Sequence, residues 1–309
     1  MALFGTIVVM KTHLKCIPCF FQQVADSSKL LGISEEETKK IFVELGDQLK
    51  NIPLDFALPE MTQFIQNQLE IYSNKEDPFY EIKQFSNKEA LKNIDQMREI
   101  VNSSSDKLRK AVELACAGNI IDFGVSSLNV DIKREIESIL EQFEESLEKE
   151  SESLFQLDEF KKSLGDAKKL LFIGDNAGEI VFDKVLIETI KELYPNLELY
   201  FATRGRPIIN DVLVEDAVSV GIDKLAKVVS SGVGTAGLAL EYASKEFLKL
   251  YKTFDLIISK GQGNFECLSD TKGPIYFLLI SKCSVITEEL GSTLRQIVLV
   301  KNSKFSEAY

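Results

Sequence analysis

The stretch LLFIGDNAGEIVFDK, residues 170–184, joins a short apolar run to an amphipathic segment through a polar turn. Four consecutive apolar residues favour a buried strand, and apolar residues three and four apart after the turn favour a helix. The same alternation continues along the rest of the chain. This half of the sequence therefore predicts a mostly parallel sheet with helices on both faces.

After residue 165, six apolar or β-branched runs have the length and composition of strands. They are residues 169–174, 198–203, 226–231, 254–259, 275–280 and 296–301. Helical patterns lie between them, near residues 178–193, 210–220 and 237–251. Residues 22–160 instead show mainly helical spacing, with capping signals at Ser34 and Ser86. We therefore expect a helical amino-terminal part followed by an α/β part.

The composition limits the classes of function. The 309 residues are 45% hydrophobic and 27% charged, as is typical of a globular protein. A formal net charge of -12 argues against a nucleic acid partner, since duplex binding usually needs a basic face. The apolar start MALFGTIVV is too short to span a bilayer and lacks the pattern of a signal peptide. Five cysteines with one close pair fit a reducing cytoplasm. We expect a soluble cytoplasmic protein without a membrane partner.

Asp175 and Asn176 stand where the first predicted strand ends and the next helix begins. Either side chain would cap that helix by accepting hydrogen bonds from its free amides. One residue suffices for a cap, and two neighbouring oxygen ligands after a glycine also suit a hard divalent cation. The loop lacks the GxGxxG pattern of dinucleotide sites and the GK[ST] of a P-loop. Capping and metal binding both remain open for this loop alone.

The loop after the second predicted strand is TRGRPIIND. Arg204 and Arg206 bring two cations to the same edge of the sheet, where an arginine would bind an anionic group. Asp211 either belongs to the cap of the next helix or supplies a second carboxylate to the metal. The loop therefore adds both a candidate anion contact and a candidate metal ligand.

The loops after the third and fourth predicted strands are rich in glycine. The first, SSGVGTAG, includes Gly232 and lets backbone amides approach a ligand closely. The second, KGQGNFE, begins with Lys260, a cation suited to a phosphate, and continues to Asn264 and Glu266. The carboxyl ends of parallel strands share one edge of a sheet, so the four loops together predict metal-assisted handling of a phosphate.

Five motifs, in this order, resemble the metal-dependent damage-control phosphatases, long catalogued as a domain of unknown function. They are CIPC, AGNIIDFG, GDNAGEIVFDK, RPIINDVLVEDA and KGQGNFE. The match runs from about Met10 to the end of the chain, and the CIPC motif places it in the branch with a CxxC pair. The resemblance implies that Asp175, Asn176 and Asp211 bind the metal and that Lys260 lies beside the phosphate.

The resemblance also implies an architecture. It is a three-layer α/β/α domain, residues 161–309, preceded by a helical amino-terminal subdomain, residues 10–160. The run MKTHLKCIPCF resembles a natural amino terminus, so we expect residues 1–9 to be an upstream start or an added leader.

Two further motifs lie in the helical half. By resemblance, the AGNIIDFG turn reaches the cleft with Asn119 and Asp122, although a plain turn at a helix end is equally expected from the residues alone. Cys16 and Cys19 form a CxxC, which fits simple packing, a redox pair or half of a soft-metal site. His13 is the single histidine, which excludes a histidine-rich zinc site.

We therefore expect a metal-dependent phosphatase acting on small phosphorylated metabolites. Mg²⁺, Mn²⁺, Co²⁺ or Ni²⁺ would neutralise the phosphate, and Lys260 and an arginine would supply further positive charge. Either water or Asp175 attacks phosphorus, and the missing DxD pair of aspartyl-phosphate hydrolases favours water. The expected substrate contacts are Arg204, Arg206, Gly232, Asn264, Glu266, Asn119 and Asp122.

Two other functions compete with this hypothesis. A doubly wound sheet with an acidic first loop would also serve an S-adenosylmethionine-dependent carboxyl methyltransferase, but the glycine-rich first loop is absent and Asp211 and Lys260 would lack a role. The cleft would also serve a non-catalytic protein that binds a metal or a phosphorylated metabolite.

Overall fold

The computed structural model describes residues 13–51, 58–118, 136, 138–143 and 152–302. The predicted contacts at Asn119 and Asp122 lie outside these ranges, as do residues 1–9. Within them, the helices that precede the sheet are α1 (Ile17–Leu31), α2 (Glu35–Asn51), α3 (Leu58–Ser73), α4 (Tyr80–Leu91), α5 (Ile94–Ser103), α6 (Lys107–Ala117) and α7 (Leu157–Asp166). No helix of the described part is both long and apolar enough to cross a membrane.

The two predicted capping signals have different outcomes. Ser34 begins α2 with a capping box, in which the Ser34 N–H donates to Glu37 at 3.1 Å and the Glu37 N–H donates to Ser34 Oγ at 3.3 Å. The signal at Ser86 was wrong, because Ser86 lies inside α4 and is buried. At this position the Ser-Asn-Lys-Glu pattern lies in the middle of a helix, where Ser86 and Asn87 are buried against the rest of the protein.

The sheet has six strands in the order β3-β2-β1-β4-β5-β6. The strands are β1 (Lys169–Ile173), β2 (Glu198–Thr203), β3 (Lys227–Ser230), β4 (Leu256–Lys260), β5 (Ile275–Ile280) and β6 (Ile297–Lys301). All neighbours pair in parallel except β5 and β6, which are antiparallel. The prediction of a mostly parallel sheet is confirmed.

Five helices follow strands in the described part of the α/β half. They are α8 (Glu179–Leu193), α9 (Val214–Ser219), α10 (Lys245–Tyr251), α11 (Gln262–Leu268) and α12 (Ser284–Leu290). The helix predicted near residues 237–251 is shorter than expected, because its first part is a 3-10 turn at Leu240–Tyr242. Helices α11 and α12 were not predicted from the sequence.

Helices cover both faces of the sheet. Alternate strand residues point to opposite faces, so Leu170 and Phe172 of β1 pack with α5 to α9 while Leu171 and Ile173 pack with α10 to α12. This arrangement confirms the three-layer α/β/α architecture.

Packing divides the helices before the sheet into two groups. Helices α1 to α3 have a core of their own, whereas α5 and α6 share the core beneath the sheet. Contact with the sheet also begins before residue 161, since the Gln156 N–H donates to the Leu299 carbonyl at 2.8 Å. The division of the chain at residue 160 stays a prediction.

Strand β1 lies between β2 and β4. The chain therefore adds β2 and β3 on one side of β1 and then crosses to add β4, β5 and β6 on the other side. A parallel sheet has its ligand crevice at such a point, outside the carboxyl ends of the strands. The loops that follow β1, β2, β3 and β4 meet at this edge.

Candidate functional site

The loops after β1 and β2 lie side by side. Asn176 and Asp211 form an isolated antiparallel bridge, and the Val212 N–H donates to the carbonyl of Asp175 at 2.9 Å. These backbone contacts bring the three predicted metal ligands together from two separate loops.

The first amides of the two following helices have partners other than the predicted ligands. The Gly178 N–H at the start of α8 donates to Asn87 Oδ1 of α4 at 2.7 Å. The Leu213 N–H at the start of α9 donates to Asp216 Oδ2 at 2.9 Å. Neither of these two amides takes a predicted ligand as its partner, and the choice between capping and metal binding stays a prediction.

Asp175 and Asp211 are both buried. Burial and the negative charges of Glu179 and Asp211 hold the pKa of Asp175 well above its usual range. Burial also raises the pKa of Asp211, although Arg204 opposes this effect by donating from Nε to Asp211 Oδ2 at 2.7 Å. The protein alone therefore compensates the two carboxylates incompletely, and a bound divalent cation would stabilise their charged forms.

Asn176 completes a set of hard oxygen ligands. Its Nδ2 donates to Asp175 Oδ2 at 2.8 Å and to Glu179 Oε2 at 3.2 Å, so Oδ1 is the atom left to contact a cation. In the described part of the chain, no group of three or more acidic, cysteine or histidine side chains is arranged to hold a metal. A three-ligand site here therefore needs the amide oxygen besides the two carboxylates, a donor set that fits Mg²⁺ or Mn²⁺.

Asn264, at the start of α11, ties four loops together. Its Nδ2 donates to the carbonyls of Gly174 at 3.1 Å and Lys260 at 2.6 Å. Its Oδ1 accepts from the Leu238 N–H at 2.8 Å and from Arg204 Nη2 at 2.9 Å. Every polar group of this side chain thus contacts the protein, and a direct contact with substrate stays a prediction.

The predicted arginines differ in exposure. Arg204 is buried, and its Nη1 has no hydrogen-bond partner among the described residues. Arg206 is exposed and runs beside Gly234 of the third loop. Gly232 is also exposed and lies against Gly205. A Cβ added to Gly205 would lie 2.4 Å from the Cα of Gly232. The structure therefore places one cation inside the site and one on its rim.

Lys260, the last residue of β4, is fully buried beneath the loops. Its Nζ donates to Glu179 Oε1 at 2.7 Å, to the Ala115 carbonyl at 2.9 Å and to Asp183. Burial alone would lower the pKa of Lys260, but Asp183 and Glu179 raise it well above its usual value, so the ammonium stays charged. The structure shows Lys260 holding Glu179, which in turn accepts from Asn176. A contact between Lys260 and phosphate stays a prediction.

Three charged residues of the site were missed in the sequence. Glu179 and Asp183 stand four residues apart on one side of α8, a spacing that the apolar pattern of this helix concealed. Lys282 is exposed after β5, and its charge lowers the pKa of Asp175. The fifth strand was predicted, so inspection of the loop after it would have found this lysine.

The CxxC pair lies near α11 and α12. Gln262 Nε2 donates to Glu266 Oε1 at 2.9 Å and lies 3.5 Å from the Cys283 Sγ. Burial raises the pKa of Cys16, and the charges of Glu266, Cys283 and Cys19 act in the same direction. Burial also raises the pKa of Glu266 to about 7. The cysteines are free thiols. The predicted contact of Glu266 with substrate also stays a prediction.

Comparison with known proteins decides the family. The model of the damage-control phosphatase ARMT1-like domain matches residues 12–298. The chain belongs to this family. A damage-control phosphatase of Pyrococcus horikoshii is 33% identical over 299 residues, which cover 95% of this chain and 99% of that protein. A damage-control phosphatase of Archaeoglobus fulgidus is 32% identical over 279 residues, covering 89% and 91% respectively.

The fold agrees with this assignment. The crystal structure of a DUF89 family protein from Pyrococcus horikoshii matches with a TM-score of 0.83 and 32% identity, covering 95% of this chain and 100% of that one. The protein is thus a phosphatase of the damage-control type, as predicted. Family membership favours this function over the methyltransferase and non-catalytic alternatives.

Proposed function

We propose that this damage-control phosphatase hydrolyses phosphomonoesters of small metabolites with a divalent metal ion held by Asp175, Asn176 and Asp211. The observation that carries the proposal is the buried carboxylate pair, brought together through the backbone of two loops at the carboxyl edge of the sheet. Ligands of parallel sheets bind at this edge.

Each residue of the site has a distinct role in this proposal. Arg204 orients Asp211 through its Nε and directs a buried cation into the region where an anionic phosphate would lie. Lys260 fixes Glu179, which fixes the amide of Asn176. Lys282 offers an exposed ammonium at the mouth of the site. When bound, the ion would neutralise phosphate charge and make a water molecule more acidic.

The surroundings of Asp175 support a role as ligand, with water as the nucleophile. Gly261 has a φ of +79° and lies so close that an added Cβ would be 1.9 Å from Asp175 Oδ2. That oxygen also accepts from Asn176 Nδ2. A carboxylate confined in this way is well placed to hold an ion and poorly placed to move toward a phosphorus atom.

Removal of divalent metal is expected to abolish phosphate release while the fold persists. The folded core of the sheet does not include the proposed ligands, so a chelator should leave the far-ultraviolet circular dichroism unchanged. Phosphate release from a panel of phosphorylated metabolites, measured with EDTA and after adding Mg²⁺, Mn²⁺, Co²⁺ or Ni²⁺, checks this expectation. Undiminished hydrolysis by metal-free protein would refute the proposal.

Lys282→Met is expected to raise the KM for a phosphorylated substrate about tenfold, because a charge-assisted hydrogen bond to the phosphate is lost. The metal affinity should change much less. Steady-state kinetics and Mn²⁺ titration test the two effects separately. Lys272→Met is a matched control, since Lys272 is also exposed but precedes β5, at the opposite edge of the sheet. Equal kinetic effects in both variants would remove Lys282 from the site.

A further inference from the structure

We propose that the helical amino-terminal part shapes the two metal-binding loops through two positioning residues, Asn87 of α4 and Gln66 of α3. Each side chain accepts a hydrogen bond from the backbone of one loop. The inference rests on the proposed function, since it concerns the same ligands, but it assigns a role to residues that contact neither metal nor substrate.

Asn87 holds the first loop and ties it to the helix that follows the second. It is buried, and its Oδ1 accepts from the Gly178 N–H at 2.7 Å. Its Nδ2 donates to Asp216 Oδ1 of α9 at 3.2 Å. Gly178 has a φ of +81° and stands two residues after Asn176. By capping α8 from outside, Asn87 supplies the hydrogen bond that the loop would otherwise take from its own polar side chains.

Gln66 holds the second loop. It is buried, and its Oε1 accepts from the Ile209 N–H at 2.9 Å. Ile209 has a φ of +45°, a left-handed conformation that a β-branched residue rarely adopts, and it stands two residues before Asp211. Its side chain packs against the core of α1 to α3. The surrounding helices thus maintain a strained turn that aims Asp211 at the site.

Both hydrogen bonds reach backbone amides within two residues of a proposed ligand, so each contact constrains a loop close to the metal position. Lys83 adds to the same face of α4, where its buried Nζ lies 3.5 Å from Asp216 Oδ2. The polar face of α4 therefore contacts both the first loop and the start of α9.

Exchanging the hydrogen-bond donor and acceptor between Asn87 and Asp216 tests the role of Asn87 without removing side-chain volume. Asn87→Asp keeps an acceptor for the Gly178 N–H but sets two carboxylates against each other at Asp216. Adding Asp216→Asn to the same chain restores one donor and one acceptor between the two side chains, and the net charge then equals that of the parent. We expect Asn87→Asp to weaken Mn²⁺ binding and to lower kcat/KM about tenfold or more, as for residues that orient metal ligands. The double variant should recover most of both.

Gln66 permits a parallel exchange, because its Nε2 donates to Glu70 Oε1 at 3.0 Å. Gln66→Met removes the acceptor for the Ile209 N–H, whereas Gln66→Glu combined with Glu70→Gln keeps it. We expect a loss of about tenfold or more in Mn²⁺ affinity for the methionine variant and near-parental affinity for the exchanged pair. Asp106→Ala is the control for lost stability, since Asp106 caps α6 through the Arg109 N–H at 3.1 Å.

Hydrogen–deuterium exchange of residues 174–184 and 205–213, measured without metal, reports on the loops directly. Faster exchange in Asn87→Asp and in Gln66→Met, reversed in the exchanged pairs and absent in Asp106→Ala, is the expected result. Unchanged exchange, or faster exchange with parental Mn²⁺ affinity, would overturn the positioning role. Failure of the parent protein to bind any of Mg²⁺, Mn²⁺, Co²⁺ and Ni²⁺ would overturn the proposed function, and the exchange data would still show whether these side chains hold the loops.

Discussion

Asp175→Asn or Asp211→Asn is expected to lower kcat/KM for a phosphorylated substrate by at least about a hundredfold at limiting metal. Loss of a residue that merely orients a ligand costs about 10- to 100-fold, so loss of a ligand's charge should reach or exceed the upper end of this range. High metal concentration should restore part of the rate, because the remaining ligands still bind weakly.

Asp175→Asn should keep or gain stability in the metal-free protein. Burial and the neighbouring carboxylates raise the pKa of Asp175, so replacing it with a neutral amide relieves repulsion in the metal-free protein. Thermal unfolding, with and without Mn²⁺, measures this effect beside the kinetics. Asp255→Asn is a matched control at the opposite edge of the sheet, where Asp255 accepts from the Lys168 and Lys169 amides. Near-parental activity in both site variants would refute the metal assignment.

Lys260→Met is expected to destabilise the protein by about 3–5 kcal/mol, because it leaves buried carboxylates without their cation. Glu179 and Asp183 are both buried and both contact the ammonium. Urea unfolding of the metal-free protein measures the free energy of unfolding. Adding Asp183→Asn to Lys260→Met should recover part of the loss, since one of the two charges is then removed.

The alternative role of Lys260, predicted from the sequence, gives a different result. A lysine that binds phosphate directly would, when replaced, leave the unfolding free energy within about 1 kcal/mol of the parent and raise KM. That combination would show that Lys260 reaches the substrate during the reaction. A large loss of stability would instead assign it to the support of Glu179 and Asn176.

The strands were predictable because each is a short apolar run between turn residues. All six predicted runs correspond to observed strands, and their ends differ by at most two residues. Helices α11 and α12 have seven residues each, too few turns for a periodic pattern of their own, whereas the similarly short α9 and α10 lie within longer runs of helical spacing. The order of the strands along the chain could therefore be predicted, but two of the helices that follow them could not.

The candidate ligands were predictable for a related reason. In a parallel sheet, the residues after each strand share one edge, so Asp175 and Asp211 were expected to approach each other. Local sequence could not predict the partners of these residues in space. The capping pattern at Ser86 is identical in kind to that at Ser34, and only the folded chain shows that Asn87 faces the first loop.

Lys260 illustrates the same limit. As the residue between a strand and a glycine, it resembles a cation exposed to a ligand, yet it is the last buried residue of β4. Its burial depends on Glu179 and Asp183, which lie about 80 residues earlier and compensate its charge. No periodicity or local motif predicts a contact between residues so far apart in the sequence.

The most direct test of the proposed site is the position of a bound metal. Crystals of the parent protein soaked with Mn²⁺ would give an anomalous difference map that locates the ion without reference to activity. We expect a peak in contact with carboxylate oxygens of Asp175 and Asp211 and with Oδ1 of Asn176, and no such peak for Asp211→Asn at the same Mn²⁺ concentration. A peak bound elsewhere, in protein that hydrolyses phosphomonoesters with Mn²⁺, would contradict it.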